Sequence, residues 1–415
     1  MHSSNLELAN HTALGSIGPL PAGDDMVQGA DSLPQIDIEH SNALPIVWHA
    51  PVRDPSGYAD EARQFLFALD SLALPVAARE LRWNDRVAQL SLSRERTLAR
   101  LLIAPESPRS IHVWHILASH FQREHSAHSN IGRTMFETDR LPAGWAHSCN
   151  QMDAVWVPSE FNLRTFAQAG VERDKLRVVP GGIDLEPYDP SIEPMVIQGT
   201  RGYNFLSVFD WTLRKGWDTL IRAYVEEFRA DEDVALIFKV HSSLGYPLAE
   251  VVQTVESFLT ATLGLDVNRI PDVVFQDSVV SDMHMPRLYR AADCYVMPTR
   301  GEGWGRPFME AMAMGLPTIG TGWSGQTEFM TRDNSLLLDF DVVDVPEIAF
   351  QETPTYRGHC WAEPRGAHLR QQMRLAFEDR NGCRNLGQRA RADIARRFNY
   401  RRIAEIVASE VERLR

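Results

Sequence analysis

The sequence predicts an α/β protein built from two Rossmann-like domains with a ligand cleft between them. Two observations predict it. Short apolar strands alternate with helix patterns from Pro45 to Val179, and the same alternation restarts at Asn204 after a proline-rich stretch without a period. The length, 415 residues, suits two or three domains.

The elements follow in order. Residues 1–43 are rich in Ser, Asn, Gly, Pro and Asp and read as a disordered or loosely docked tail. The first domain, 44–190, opens with the strand Pro45–Ala50, a turn through Gly57, and a helix over Tyr58–Asp70. Further strands are expected at Ile111–Leu117, Asn130–Phe136, Ala154–Val157 and Leu176–Val179, with a helix over Phe161–Ala169. Periodicity lapses over Asp184–Gly202, and the linker is placed at 191–202. The second domain, 203–385, has strands at Asn204–Phe209, Val234–Val240, Val273–Phe275, Cys294–Met297 and Pro317–Gly320. Helices are expected over Gly216–Arg229, Leu248–Leu263 and Pro286–Ala292, and near His368–Asp379. The chain closes with the helices Cys383–Phe398 and Tyr400–Leu414, the segment 386–415 being read as a return to the first domain. In such folds ligands sit at the carboxyl ends of the strands.

Composition narrows the function. Hydrophobic residues are 44% and charged residues 23%, which excludes a disordered chain, a collagen and a small disulfide scaffold. A net charge of −13 gives no overall attraction to nucleic acid, and none is expected as a partner. Four scattered cysteines, with no Cys-x-x-Cys pair, read as reduced thiols of a cytoplasmic protein. No signal peptide or membrane-spanning run is expected.

The most informative stretch is Arg300–Thr321, RGEGWGRPFMEAMAMGLPTIGT. It follows a strand, so its loop lies at a carboxyl end. Gly301, Gly303 and Gly305 allow close backbone approach to a ligand. Pro307 suits the first helical position and Gly315 the position after the last, giving a helix over Pro307–Met314. The free N–H groups at its start attract anions. Glu302 before the helix and Glu310 inside it can each accept hydrogen bonds from sugar hydroxyls. Two carboxylates flanking a phosphate-seeking helix end suit a nucleotide-sugar, one for the sugar and one for the ribose.

Glu302 and Glu310 resemble the E-x7-E motif of retaining glycosyltransferases of the GT-B fold, family 4. Val178–Asp184 (VVPGGID), Leu213–Tyr224 (LRKGWDTLIRAY), Thr134–Pro142 (TMFETDRLP) and Met152–Phe161 (MDAVWVPSEF) look like further segments of that family. The resemblance implies that Arg214 and Lys215 hold the donor diphosphate, that Glu310 binds the ribose and that Glu302 binds the donor sugar. Backbone groups around Gly303, Trp304, Gly305 and Arg306 would touch sugar and phosphate, and Gly57 would face the phosphates from the first domain. Fixed cations suit this role, because breaking a sugar–phosphate bond builds charge on the departing diphosphate. The family's Gly-Arg pair after the strand is replaced by Val208 and Phe209. Arg306 stands where an aliphatic residue is usual, either as a phosphate contact or as a surface residue.

Five histidines fall between His112 and His128, but His112 and His115 are three apart on a strand and point to opposite faces. No metal site and no cofactor are expected. His115 or His120, and Glu137 or Asp139 after a strand, are candidates for acceptor contact or a base. The triplets Asp231–Asp233 and Asp339–Asp341 read as solvated turns. The basic stretches Arg79–Arg100 and Arg384–Arg402 are read either as solvated helix faces or as contacts to an anionic membrane surface. The resulting expectation is a metal-independent hexosyltransferase of polysaccharide biosynthesis, cytoplasmic and in touch with the inner membrane face or not. It would move a sugar from a nucleotide-diphosphate donor, of GDP-mannose or UDP-glucose type, to a glycan or lipid-linked acceptor. The alternatives are a nucleotide-sugar epimerase of the same plan and a non-catalytic nucleotide-sugar-binding protein.

Overall fold

A computed structural model describes residues 6–8, 44–83, 86–276 and 280–415. Residues 6–8 form a strand, β1 (Leu6–Leu8), that lies parallel beside a strand of the second domain. Within the segment expected to be a disordered or loosely docked tail, these three residues therefore dock on the second sheet; the remainder of 1–43 lies outside the described residues.

The first sheet comprises β2 (Ile46–Ala50), β3 (Val76–Glu80), β4 (Ile111–His115), β5 (Ser129–Arg133), β6 (Ala154–Val157) and β7 (Leu176–Val178). All are parallel, in the order β3-β2-β4-β5-β6-β7. Its helices are α1 (Gly57–Ser71), α2 (Leu92–Leu102), α3 (Trp145–Asn150) and α4 (Glu160–Gln168). The Ser56 hydroxyl caps α1 and the Ser159 hydroxyl caps α4, each accepting a backbone N–H of the first turn.

The second sheet adds β8 (Asn204–Asp210), β9 (Ala235–His241), β10 (Asp272–Gln276), β11 (Cys294–Met297), β12 (Thr318–Thr321) and β13 (Leu336–Leu338). With β1 it is a parallel sheet in the order β1-β10-β9-β8-β11-β12-β13. Helices α5 (Trp217–Glu227), α6 (Leu248–Ser257), α7 (Met285–Arg290) and α8 (Arg306–Ala313) connect its strands. The reversal of order at β8, with β9 on one side and β11 on the other, opens a crevice at the carboxyl ends of β8 and β11.

After β13 the chain makes an arm: an antiparallel pair, β14 (Phe340–Asp344) and β15 (Cys360–Pro364), with α9 (Glu347–Glu352) between them. Asp341 therefore lies in a strand, paired with Arg365, and not in the expected turn. Helices α10 (Gly366–Glu378), α11 (Arg380–Arg397) and α12 (Tyr400–Glu412) complete the chain.

Each sheet has its own core. Trp48, Val113, Ile131 and Trp156 pack with Phe65, Leu66 and Leu69 of α1. Ile403, Ala404, Val407 and Val411 of α12 join that same cluster, so the last helix belongs to the first domain. Full burial of such aliphatic side chains contributes about 1.5–3 kcal/mol each. The outgoing and returning crossings touch: Ile183 N donates to the Phe398 carbonyl at 3.0 Å. A third apolar cluster spans both domains, joining Trp114, Phe136 and Trp145 to Val345, Tyr356 and Trp361 of the arm.

Candidate active site between the domains

Because β8 and β11 are neighbours, the loops that leave their carboxyl ends run side by side. After β8 a 3-10 turn, Leu213–Lys215, ends at Gly216, whose φ of 71° is the left-handed conformation that favours glycine. After β11, residues 298–305 lead into α8. Arg300 fastens one loop to the other. Its buried guanidinium reaches Asp218 at 2.8 and 2.9 Å and Glu363 at 2.6 and 2.8 Å, and donates to the Leu213 carbonyl at 2.5 Å.

This arrangement brings Arg214, Lys215 and Glu302 together. Glu302 Oε1 accepts from Lys215 Nζ at 2.6 Å, Thr299 Oγ1 at 2.9 Å and Arg214 Nη1 at 3.2 Å. The Glu302 backbone N–H donates to Ser324 Oγ at 2.8 Å. Burial alone would raise the Glu302 carboxyl, but Lys215 and Arg214 outweigh it and its pKa is lowered. Burial lowers the Lys215 ammonium, against the opposing pull of Glu302. Burial lowers the Arg214 guanidinium, but the neighbouring carboxylates Glu137 and Glu302 oppose it and the net direction is a rise. Arg214 also donates to the Gly301 carbonyl and lies with its Nε 3.3 Å from Glu137 Oε1 of the first domain.

Helix α8 starts one residue before the expected Pro307. Gly305, at φ 90°, is its N-cap, and Pro307 sits within the first turn. Arg306 is buried between the domains, so it is not the surface residue that sequence allowed. It pairs with Asp60 of α1 at 2.5 Å, lies 3.5 Å from Glu310 and donates to the Gly182 carbonyl at 2.6 Å. Glu310 accepts from the Tyr289 hydroxyl at 2.8 Å. Burial pushes the Glu310 carboxyl up to about 7, with Arg306 opposing and Asp60 adding to the rise.

The remaining sequence candidates take varied places. Gly57 begins α1 and faces the Arg306 side chain across the cleft. Gly301 and Gly303 pack so closely against the Glu137 carbonyl and the Met135 side chain that a Cβ at either would overlap them. The Trp304 ring is buried on Phe329 and Phe398. His115, read as an acceptor contact or base, is instead buried completely, 3.0 Å from Glu61 and 3.3 Å from the Trp48 indole nitrogen. His120 is exposed on a 3-10 turn beside Ser119. Asp139 accepts from the Cys360 backbone at 2.6 Å, which spends it on the arm.

Sequence reasoning missed Asp60, Tyr289, Thr299, Ser324 and Tyr356. Asp60 carries a signal, as an acidic residue in the first turn of the helix that starts at Gly57. Thr299 bonds Glu302 three residues on in the same loop, whereas Tyr289, Ser324 and Tyr356 are ordinary residues whose partners lie on other elements. Among the described residues, no group of three or more His, Cys, Asp or Glu side chains is placed to hold a metal ion, and no helix is long and apolar enough to cross a membrane.

Fold and site thus define a GT-B architecture, two Rossmann-like domains closing on a cleft lined by a carboxylate and two cations. Solved structures agree on the fold. The chain is similar to HepE of Anabaena in complex with UDP-glucose, at 15% identity and a TM-score of 0.60, over 89% of this chain and 100% of that one. It is similar to sucrose-phosphate synthase from Thermosynechococcus elongatus at 16% identity and a TM-score of 0.60, over 89% and 99% of the two chains. Residues 204–349 match the family model described as glycosyl transferases group 1. Among curated relatives, a mannosylfructose-phosphate synthase of Agrobacterium fabrum is 29% identical over 160 residues, 37% of this chain and 34% of that protein. A D-inositol 3-phosphate glycosyltransferase of Nocardia farcinica is 26% identical over 278 residues, 65% of this chain and 51% of that protein. A GDP-mannose-dependent phosphatidylinositol monomannoside mannosyltransferase of Corynebacterium glutamicum is 27% identical over 215 residues, 47% and 51% of the two. The chain therefore spans between about a third and about half of the length of these relatives.

Proposed function

We propose that the protein is a glycosyltransferase that moves a hexose, with retention, from a nucleotide-diphosphate donor to a hydroxyl of a glycan or lipid-linked acceptor. The observation that carries this reading is the convergence of Glu302, Lys215 and Arg214 at the carboxyl ends of adjacent parallel strands, facing the other domain. The names of the relatives support GDP-mannose as donor, and HepE, solved with UDP-glucose, supports a uridine nucleotide.

In this reading Lys215 and Arg214 take the diphosphate and stabilise the charge that builds as the sugar departs. Removing one such fixed group typically costs ~10²–10³ in rate. Glu302, ionised and held between the two cations, accepts hydrogen bonds from the donor sugar. Glu310 grips the ribose. The start of α8, with Gly303 and Gly305 permitting close approach, adds backbone N–H groups to the phosphate side. The fixed cations make the reaction independent of a bound metal. The test is incubation of the full chain with a panel of UDP- and GDP-sugars and glycan acceptors, reading nucleoside diphosphate release. Acceptor-dependent release with one donor is the expected result. Conversion of a donor in the absence of any acceptor, or saturable binding without turnover across the panel, contradicts the proposal.

A further inference from the structure

The arm 339–365 ends on the other domain. Tyr356 closes a 3-10 turn, Pro354–Tyr356, at its far end, and its ring lies 5.8 Å from Phe136. Cys360 N donates to Asp139 Oδ1 at 2.6 Å, and Asp139 N donates to the Cys360 carbonyl at 3.2 Å. Thr138 Oγ1 and His359 Nδ1 are 2.7 Å apart. Val345, Ala349, Tyr356 and Trp361 are all buried within the apolar cluster shared with Trp114 and Phe136. At the centre of this contact the Tyr356 hydroxyl donates to Glu137 Oε1 at 2.6 Å. That same oxygen lies 3.3 Å from Arg214 Nε.

Arg214 is thus gripped along two edges by two domains. Its Nε edge faces Glu137 of the first domain, and Nη1 faces Glu302 and the Gly301 carbonyl of the second. A guanidinium is a rigid plane, so holding the Nε edge fixes the direction in which the remaining N–H groups point. With Nε facing Glu137 and Nη1 spent on Glu302 and the Gly301 carbonyl, the Nη2 N–H groups are the ones left to meet a phosphate oxygen. Burial raises the Tyr356 hydroxyl well above its ordinary range, which keeps it a donor to the carboxylate.

We propose that Glu137, locked in place by Tyr356 of the arm, is a positioning residue that aims Arg214 at the donor diphosphate, so that the clamp is complete only while the arm holds the domains together. This rests on the reading of Arg214 as a diphosphate ligand. It gives Glu137 a task other than base or acceptor contact, and it makes the first domain a contributor to donor binding. The match to the family model ends at residue 349, before Tyr356, so the lock is built from a segment outside that match.

The test uses the full chain with UDP and GDP as titrants and steady-state rates with the matching sugar donor. Tyr356→Phe and Glu137→Ala are expected to weaken diphosphate binding about three- to tenfold and to lower kcat/KM for the sugar donor by at least as much, in variants that remain folded at the assay temperature. Adding Glu137→Ala to Arg214→Lys is expected to cost nothing beyond Arg214→Lys alone, because both act through one side chain. Wild-type affinity in both single variants, multiplying effects in the double variant, or a loss confined to kcat and melting temperature overturns the inference. If Arg214→Ala itself binds like wild type, or wild type binds neither diphosphate, the underlying reading fails and the inference with it. If Arg214→Ala binds weakly while Glu137→Ala and Tyr356→Phe bind normally, only the inference fails.

Discussion

Glu310 offers a prediction whose size follows from its surroundings. Burial lifts its carboxyl from 4.5 to about 7. The folded protein therefore keeps this proton up to about pH 7, whereas the unfolded chain releases it near 4.5. Between those values the folded state binds more protons, so stability falls as pH rises, and the loss is complete above about pH 7. Each pH unit by which the folded value exceeds the unfolded one corresponds to about 1.4 kcal/mol. Glu310→Gln cannot titrate, yet its amide oxygen can still accept from Tyr289, and Arg306 keeps Asp60 and the Gly182 carbonyl. The two proteins should melt together near pH 4, below the value at which the unfolded chain releases the proton. At pH 8 the Gln variant should melt higher by at least roughly 2–4 °C, the shift that about 1 kcal/mol produces in a domain of this size. Thermal unfolding of both across pH 4–8 in matched buffers measures this. Parallel curves, or a wild type that gains stability relative to the variant as pH rises, would refute the reasoning. If the Glu310 carboxylate also grips ribose, wild-type donor affinity should strengthen above pH 7, and that pH dependence should vanish in Glu310→Gln.

Other consequences are equally measurable. Gly301→Ala sets a methyl group against the Glu137 carbonyl and should keep the domains from closing; turnover should fall at least tenfold while the radius of gyration in solution scattering increases. Ile403→Ala empties a fully buried site on α12 and should cost about 2–4 kcal/mol in chemical denaturation, with donor affinity unchanged. Chelation with EDTA should leave turnover within about twofold, because fixed cations carry the charge of the departing diphosphate; strong inhibition reversed by manganese would contradict that part of the account.

The sequence made the alternating strands legible wherever they are central and apolar, as at Ala154–Val157 and Cys294–Met297. It concealed β3, an edge strand whose VAARE ends in charge, and it concealed the arm, where FDVVD alternates with polar residues and resembles a loop. The grouping of Glu302 with Arg214 and Lys215 could be expected, because each follows a strand of the same sheet. The pairing of Asp60 with Arg306, and of Tyr356 with Glu137, could not. Those contacts depend on how two domains close, and no local pattern in either segment encodes the other. The same holds for His115, whose strand position suggested a cleft and whose pairing with Glu61 places it in the interior.

The central claim, that Lys215 and Glu302 form the reacting end of a donor site, is tested most directly by the rate of nucleoside diphosphate release in wild type and in Lys215→Ala and Glu302→Ala, each with its fold verified by circular dichroism. Losses of at least tenfold are expected in both variants, reaching roughly 10²–10³ for the lysine. Wild-type rates in both folded variants would contradict that claim.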